Sequence, residues 1–304
     1  MIFSHDQLVA ETMEMWDNGL PAGQSTGWPS VDQLYTVAPA QWTLLTGTPN
    51  SGKSEWLDAL MVNLAKRGKW KFVVYSPENW PLKLHASKIA EKYLGKPFDR
   101  GPTPRMEKDE LDEALAWMAG KFIFAKPQNP TLEAILDEAG EHVSAGSQWM
   151  TGIVVDPWNQ LEHHIPPGQR EDQYLSHSLS TLIDFVRGSW AEKYHHGDVH
   201  FWMVAHPKIM QKDKNGTYPI PRPYDISGGA HWWNKADNCV TVWRDQAEGT
   251  QEVQIHVQKI RFKHIGRIGV TSLNYEKVTG RYAEQIRAVE TAASLRYRYG
   301  KDGE

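Results

Sequence analysis

Apolar residues along this chain fall into two spacings, and their alternation predicts its elements. Short unbroken apolar runs at 42–46, 71–77, 122–124, 152–156 and 199–205 read as buried strands. Helical spacing separates them. Residues 55–66 carry Trp56, Leu57, Leu60, Met61 and Leu64 at that spacing, and 81–95 carry Leu82, Leu84, Ile89 and Leu94. Further helices are expected at 107–119 and 131–143, and a long one at 171–194 with Tyr174, Leu175, Leu179, Leu182, Ile183 and Val186 on one side. Ahead of these, residues 1–20 form an amphipathic helix with Leu8, Val9, Met13 and Trp16, ended by Gly19, Pro21 and Gly23. The last third has a different character, with strand-like runs at 239–243, 252–260 and 268–275 joined by short connections. Alternating strands and helices followed by strands alone predict one α/β domain. Its central sheet is mostly parallel and flanked by helices, and it closes with a C-terminal antiparallel β hairpin.

Between the first strand and the first long helix lies Gly47-Thr48-Pro49-Asn50-Ser51-Gly52-Lys53-Ser54. It fits G-x-x-x-x-G-K-[ST] at every fixed position and has the strand–loop–helix context that the motif requires. Successive backbone N–H groups can then curl around a polyphosphate, and the helix N-terminus adds partial positive charge. Lys53 would reach the β- and γ-phosphates, and the Ser54 hydroxyl would ligate Mg²⁺. The substrate expected is ATP or another NTP or dNTP.

Ligands of open parallel sheets bind beyond the carboxyl ends of the strands. Asp156 ends one such strand and reads as the acid that holds Mg²⁺, although strand-end carboxylates also occur in ordinary turns. Glu78 closes another, where a carboxylate could take the proton of a water attacking the γ-phosphate; a solvated glutamate would look the same. His206 ends a third and could hydrogen-bond the γ-phosphate.

Composition narrows the classes. The chain has 304 residues, 40% hydrophobic and 23% charged, which suits a globular protein with a sizeable core. No apolar run is long enough to span a membrane, and no membrane partner is expected. A net charge of −4 argues against coating the outer surface with nucleic acid. It leaves room for a local basic loop. Fourteen tryptophans fall mostly in apolar runs and read as core. The single cysteine, Cys239, excludes an intramolecular disulfide and points to a reducing cytoplasm in a bacterial or phage-infected cell. The histidine pairs His163-His164 and His195-His196 complete no zinc site.

In this order the motifs resemble the ATPase domain of ring-forming replicative DNA helicases, most closely the Twinkle, phage primase–helicase and DnaB-like type, with a RecA-like P-loop core. The resemblance covers about residues 24–282 and rests on residues 47–54, Ser76-Pro77-Glu78, residues 153–156, Ala205-His206-Pro207, residues 225–230 and Lys259-Ile260-Arg261-Phe262. The late Lys-x-Arg-Phe, followed by Gly266 and Gly269, is the most discriminating. The resemblance implies that Glu78 activates water, that His206 senses the γ-phosphate, and that Arg261, with Lys259 beside it, reaches a neighbouring subunit's nucleotide. Taken bare, Lys259 and Arg261 are equally compatible with solvated edge charges. The loop 207–225, with Lys208, Lys212 and Lys214, resembles a channel loop that holds single-stranded DNA. Ser227-Gly228-Gly229 would be a second flexible element there, and Arg244 would link nucleotide and channel.

The implied activity is NTP-driven translocation on single-stranded DNA with unwinding of forked duplex by a homo-oligomeric, usually hexameric, ring. A primase or polymerase would be a further partner. The domains expected are a helix and linker at 1–23 that contacts a neighbouring subunit, an ATPase domain at 24–290 and a tail at 291–304. No upstream primase or zinc-binding domain is expected within this length, and residues 81–150 map to no helicase role. Two rivals share the fold: a filament-forming recombination or repair ATPase, and a nucleotide-dependent assembly module without motor activity.

Overall fold

In the computed structural model, residues 4–143, 149–188, 199–214, 216–245, 250–285 and 290–291 are described. His195-His196, the end of the helix expected at 171–194 and the tail beyond Thr291 lie outside them. The parallel half of the sheet is built from β1 (Gln41–Thr46), β2 (Trp70–Tyr75), β3 (Phe122–Phe124), β4 (Met150–Val155), β5 (Val199–Val204) and β6 (Asn238–Trp243). Its order is β3-β2-β4-β5-β1-β6. On β6 an antiparallel run is added from β7 (Glu252–Ile260), β8 (Gly269–Glu276), β9 (Arg281–Glu284) and β10 (Glu290–Thr291). The hairpin expected from the sequence is β7–β8. It is continuous with β6 and flanked by two short strands that residue pattern did not reveal.

The helices are α1 (His5–Asn18), α2 (Pro29–Asp32), α3 (Lys53–Arg67), α4 (Leu82–Leu94), α5 (Lys108–Ala119), α6 (Leu132–His142), α7 (Glu171–Arg187) and α8 (Gly229–Lys235). Side chains of successive strand residues point to opposite faces, so each buried strand feeds two cores. On β2, Phe72 and Val74 pack towards Trp56, Leu60 and Leu64 of α3, whereas Val73 and Tyr75 pack towards Ile135 of α6 and Leu179 and Phe185 of α7. On β5, Trp202 and Val204 take the first side and Phe201 and Met203 the second. This accounts for strands that read as continuous apolar runs. It also accounts for the tryptophans: Trp42, Trp56, Trp70, Trp202 and Trp232 are fully buried. Cys239, on β6, is buried too, and burial pushes its thiol up to about 12.

Two expectations change. None of the residues of α1 is buried, and Trp16 is 78% exposed, so this helix does not lie on the core. The segment 225–238, expected to be flexible, contains α8, and its glycines are packed. A Cβ on Gly229 would come within 2.5 Å of the Tyr224 backbone, and one on Gly228 within 2.4 Å of Leu175. Residues 81–119, which map to no role, form the pair α4 and α5 around Ala90, Met106 and Ala114.

Gly152 sits in the middle of the sheet where a Cβ would lie 2.4 Å from the Phe72 ring and 2.9 Å from that of Trp202. Both rings are rigid and fully buried, so Gly152→Ala should destabilise the fold by about 1–3 kcal/mol. Urea melts of the two proteins measure it.

Candidate nucleotide site

Parallel strands carry their chain ends to one edge, and that edge holds the site. β1 delivers the phosphate loop, β5 delivers His206 and β4 delivers Asp156. β2 delivers Glu78 on a 3₁₀ turn over Pro77–Asn79. Gly52 begins α3 in the left-handed region, φ 93°, which a β-carbon would oppose. Asn50, at the loop tip, also has positive φ, 60°. The loop is tied down from β6: Arg244 Nη2 donates to the Asn50 carbonyl at 3.0 Å.

A cavity of about 980 Å³ opens beside the loop. Lys53, Ser54, Glu78 and His206 line it from the strand ends. Arg244, Tyr275, Lys277 and Tyr282 line it from the antiparallel strands and their flanks. That second wall offers aromatic surface and positive charge, the combination on which a base stacks and a polyphosphate rests. Apart from Arg244, residue pattern pointed to none of it, because Tyr275, Lys277 and Tyr282 lie more than two hundred positions beyond the loop and carry no local motif.

The charges are set for an anion. Lys53 Nζ donates to the carbonyls of Gly47 and Thr48, each at 3.1 Å. Burial pulls its pKa down, opposed by Asp156 and Glu78. The His206 pKa is lowered by burial first and by Lys53 second, with Glu78 opposing, and its backbone N–H donates to Asn159 Oδ1 at 3.1 Å. Asp156 is 3% exposed; burial raises its carboxyl to about 6, with a Ser54 hydrogen bond opposing and Asp58 and Glu78 adding to the rise. Three buried oxygens here have no hydrogen-bond partner: Thr48 Oγ1, Ser51 Oγ and Asp156 Oδ1. Buried polar atoms normally find one. An unpartnered carboxylate oxygen next to the Ser54 hydroxyl is the hard oxygen donor set that suits Mg²⁺.

The other residues expected at the site lie elsewhere. β7 runs antiparallel to β6, so its end is at the opposite sheet edge, with Ile260 paired to Asn238. Lys259 and Arg261 are therefore remote from this chain's own phosphate loop. Lys259 Nζ donates to the Trp233 carbonyl and sits over the Trp233 ring; Arg261 pairs with Asp237 at 2.7 Å. Lys208, Lys212 and Lys214 are exposed on a loop whose base is closed by pairing of Pro207 with Ile226. Its return limb is anchored: Trp243 Nε1 donates to the Tyr218 carbonyl, and Thr241 and Gln258 donate to that of Pro221. Lys212 Nζ lies 4.8 Å over the Tyr218 ring.

The chain is 38% identical over 295 residues to the Twinkle homolog protein, chloroplastic/mitochondrial, of Arabidopsis thaliana. The match takes in 93% of this chain and 40% of that protein, so the chain spans about two fifths of its relative. Among solved structures, a stand-alone ATPase domain superposes with a TM-score of 0.76 at 14% identity, covering 94% of this chain and all of that one. A DnaB-like replicative helicase, solved for its interactions with primase, gives 0.72 at 15% identity over 94% of this chain and 68% of that one. The chain has the RecA-like fold and is Twinkle-like in sequence. The RadB recombinase shares the fold more distantly, with a TM-score of 0.55 at 14% identity over 86% of this chain and 99% of that one. No family model matches. Among the described residues no helix is long and apolar enough to cross a membrane.

A pH dependence follows from Asp156. Its carboxyl titrates near 6 when folded and near 3.8 when free. Between those values the folded protein keeps a proton that the unfolded chain has released, so this group's contribution to stability falls as pH rises across that window. Without nucleotide or Mg²⁺, Asp156→Asn should remove that slope. Melting temperatures of both proteins from pH 4 to 7, at the same ionic strength, measure it.

Proposed function

We propose that this chain is the motor domain of an NTP-hydrolysing replicative DNA helicase that works as a ring, translocating on single-stranded DNA and unwinding a forked duplex. The observation that carries this reading is the split site. The phosphate loop, Glu78 and His206 surround one cavity, whereas Lys259 and Arg261 stand at the opposite sheet edge. A head-to-tail interface that closes into a ring brings such halves together between copies, a hexamer being the stoichiometry proposed. The 38% identity to a Twinkle homolog favours this reading over the filament-forming and assembly-module rivals.

In this mechanism residues 47–54 cradle the phosphates through backbone N–H groups, and Lys53 leaves the Gly47 and Thr48 carbonyls to neutralise the β/γ oxygens. Ser54 and Asp156 would hold Mg²⁺, which supplies charge neutralisation and orientation of the phosphate chain when bound. Glu78 accepts the proton of the attacking water. Neutral His206 hydrogen-bonds the γ-phosphate and, adjoining Pro207, transmits its loss to the loop carrying Lys208, Lys212 and Lys214. Those lysines hold DNA phosphates without reading sequence, beside the Gly228-Gly229 turn. Arg261, with Lys259, neutralises charge developing on the neighbouring copy's nucleotide. The helix and linker at 1–23 contact the next copy, 24–290 form the motor, and 291–304 are a tail. A primase or polymerase is the further partner proposed. A bacterial or phage-infected cytoplasm is the proposed setting, supported by the lone buried cysteine; the plant relative's name assigns that protein to chloroplasts and mitochondria.

The deciding experiment is strand displacement on forked DNA with nucleotide and Mg²⁺. Displacement by the wild-type chain, and none by Lys53→Ala, is the expected result; hydrolysis without displacement would favour an assembly module. Arg261→Ala should keep nucleotide binding and lose DNA-stimulated hydrolysis by about 10³-fold or more. Titrating that variant into wild-type protein should depress turnover faster than dilution alone, since each defective copy disables its neighbour's site.

A further inference from the structure

We infer that Asp237 is a positioning residue that aims Arg261, an inference resting on the reading of Arg261 as a group donated to a neighbouring copy. Asp237 follows α8 and is completely buried. One carboxylate oxygen, Oδ1, lies 2.7 Å from Arg261 Nε and 3.5 Å from Arg187 Nη1. The other, Oδ2, accepts from the Trp42 backbone N–H at 3.1 Å, at the start of the strand that ends in this chain's own phosphate loop. The Asp237 carbonyl also accepts from the Arg261 N–H at 2.9 Å.

The rest of the Arg261 head is gripped by the end of α8. Nη2 donates to the carbonyls of Asn234 at 3.1 Å and Ala236 at 3.2 Å. Carbonyls at a helix end have no partner within the helix and are natural acceptors. Together these contacts occupy the edge of the guanidinium formed by Nε and Nη2. Among the described residues no hydrogen bond occupies Nη1, and the side chain keeps 35% of its surface. A guanidinium is a rigid planar fork, so fixing one edge fixes the direction of the other.

Charge counting agrees with an outward task. One buried carboxylate faces two arginines, leaving a surplus positive charge. Lys259 adds another, held on the Trp233 carbonyl of the same helix. Burial of Asp237 is costly unless its partners stay. The carboxylate therefore keeps Arg261 from swinging freely into solvent, while its remaining donors face an incoming anion. Aim matters, because a displacement of about 1 Å in a catalytic constellation can cost about 10²-fold in rate.

The test is a double-mutant cycle on DNA-stimulated hydrolysis using Asp237→Asn, Arg261→Ala and the double variant. Asp237→Asn should lower kcat by about 10- to 100-fold while KM, and Kd for a non-hydrolysable analogue, stay within about twofold. The double variant should be no slower than Arg261→Ala, because aiming a missing group has no effect. Unchanged kcat in Asp237→Asn, or a double variant slower by the product of the single effects, overturns the inference. If Arg261→Ala itself turns over normally, the donated-arginine reading fails, and this inference with it. Should Asp237→Asn lose its fold by circular dichroism, Asp237→Glu, which keeps the charge and moves the carboxylate by one methylene, carries the same cycle.

Discussion

Six parallel strands buried on both faces leave their polar ends one place to go, the carboxyl edge of the sheet. The interior of each strand is apolar because α3 covers one face and α6 and α7 the other. Charge is therefore expelled to the strand termini. Lys53, Glu78, Asp156 and His206 lie far apart in the chain, yet this constraint gathers them. The buried Asp156, raised to about 6, and Lys53, whose pKa falls on burial, show a site that holds charge at a cost and is completed by an anion and a cation.

The antiparallel extension answers a second constraint. Adding β7 to β6 reverses the chain, so one strand reaches from the nucleotide edge to the far edge. Its start lies near the wall formed by Tyr275 and Tyr282, and its end presents Lys259 and Arg261. A monomer built this way cannot close its own site. It offers a nucleotide pocket at one edge and a cationic point at the other, the arrangement of a heterologous interface. The grip of Asp237 and α8 on Arg261 makes that point rigid, and the link from Asp237 to Trp42 ties it to the strand that bears the phosphate loop.

Much of this was legible in residue order. The phosphate loop is a local motif whose backbone geometry depends on its own glycines, and Glu78, Asp156 and His206 follow strands that announce themselves as apolar runs. The Lys-x-Arg-Phe motif was legible only through family resemblance, since bare spacing allowed solvated edge charges. The segment 225–230 was misjudged as flexible. Gly228 and Gly229 looked like a hinge, whereas Leu175 and the Tyr224 backbone occupy the space a side chain would need. A glycine required for close approach and one required for mobility are identical in sequence.

What the sequence determined by itself was the set of alternating elements, the triphosphate-binding loop and the carboxylates and histidine placed to act on it. These depend on periodicity and short-range geometry, which neighbouring residues encode. Only the tertiary structure decided which distant groups share a cavity, that α1 stands off the core, and that Arg261 lies at the edge opposite its own phosphate loop. It also decided that Asp237 holds that arginine. Those outcomes depend on strand order and on the reversal at β7, and two residues brought together by the sheet carry no mark of each other in the chain.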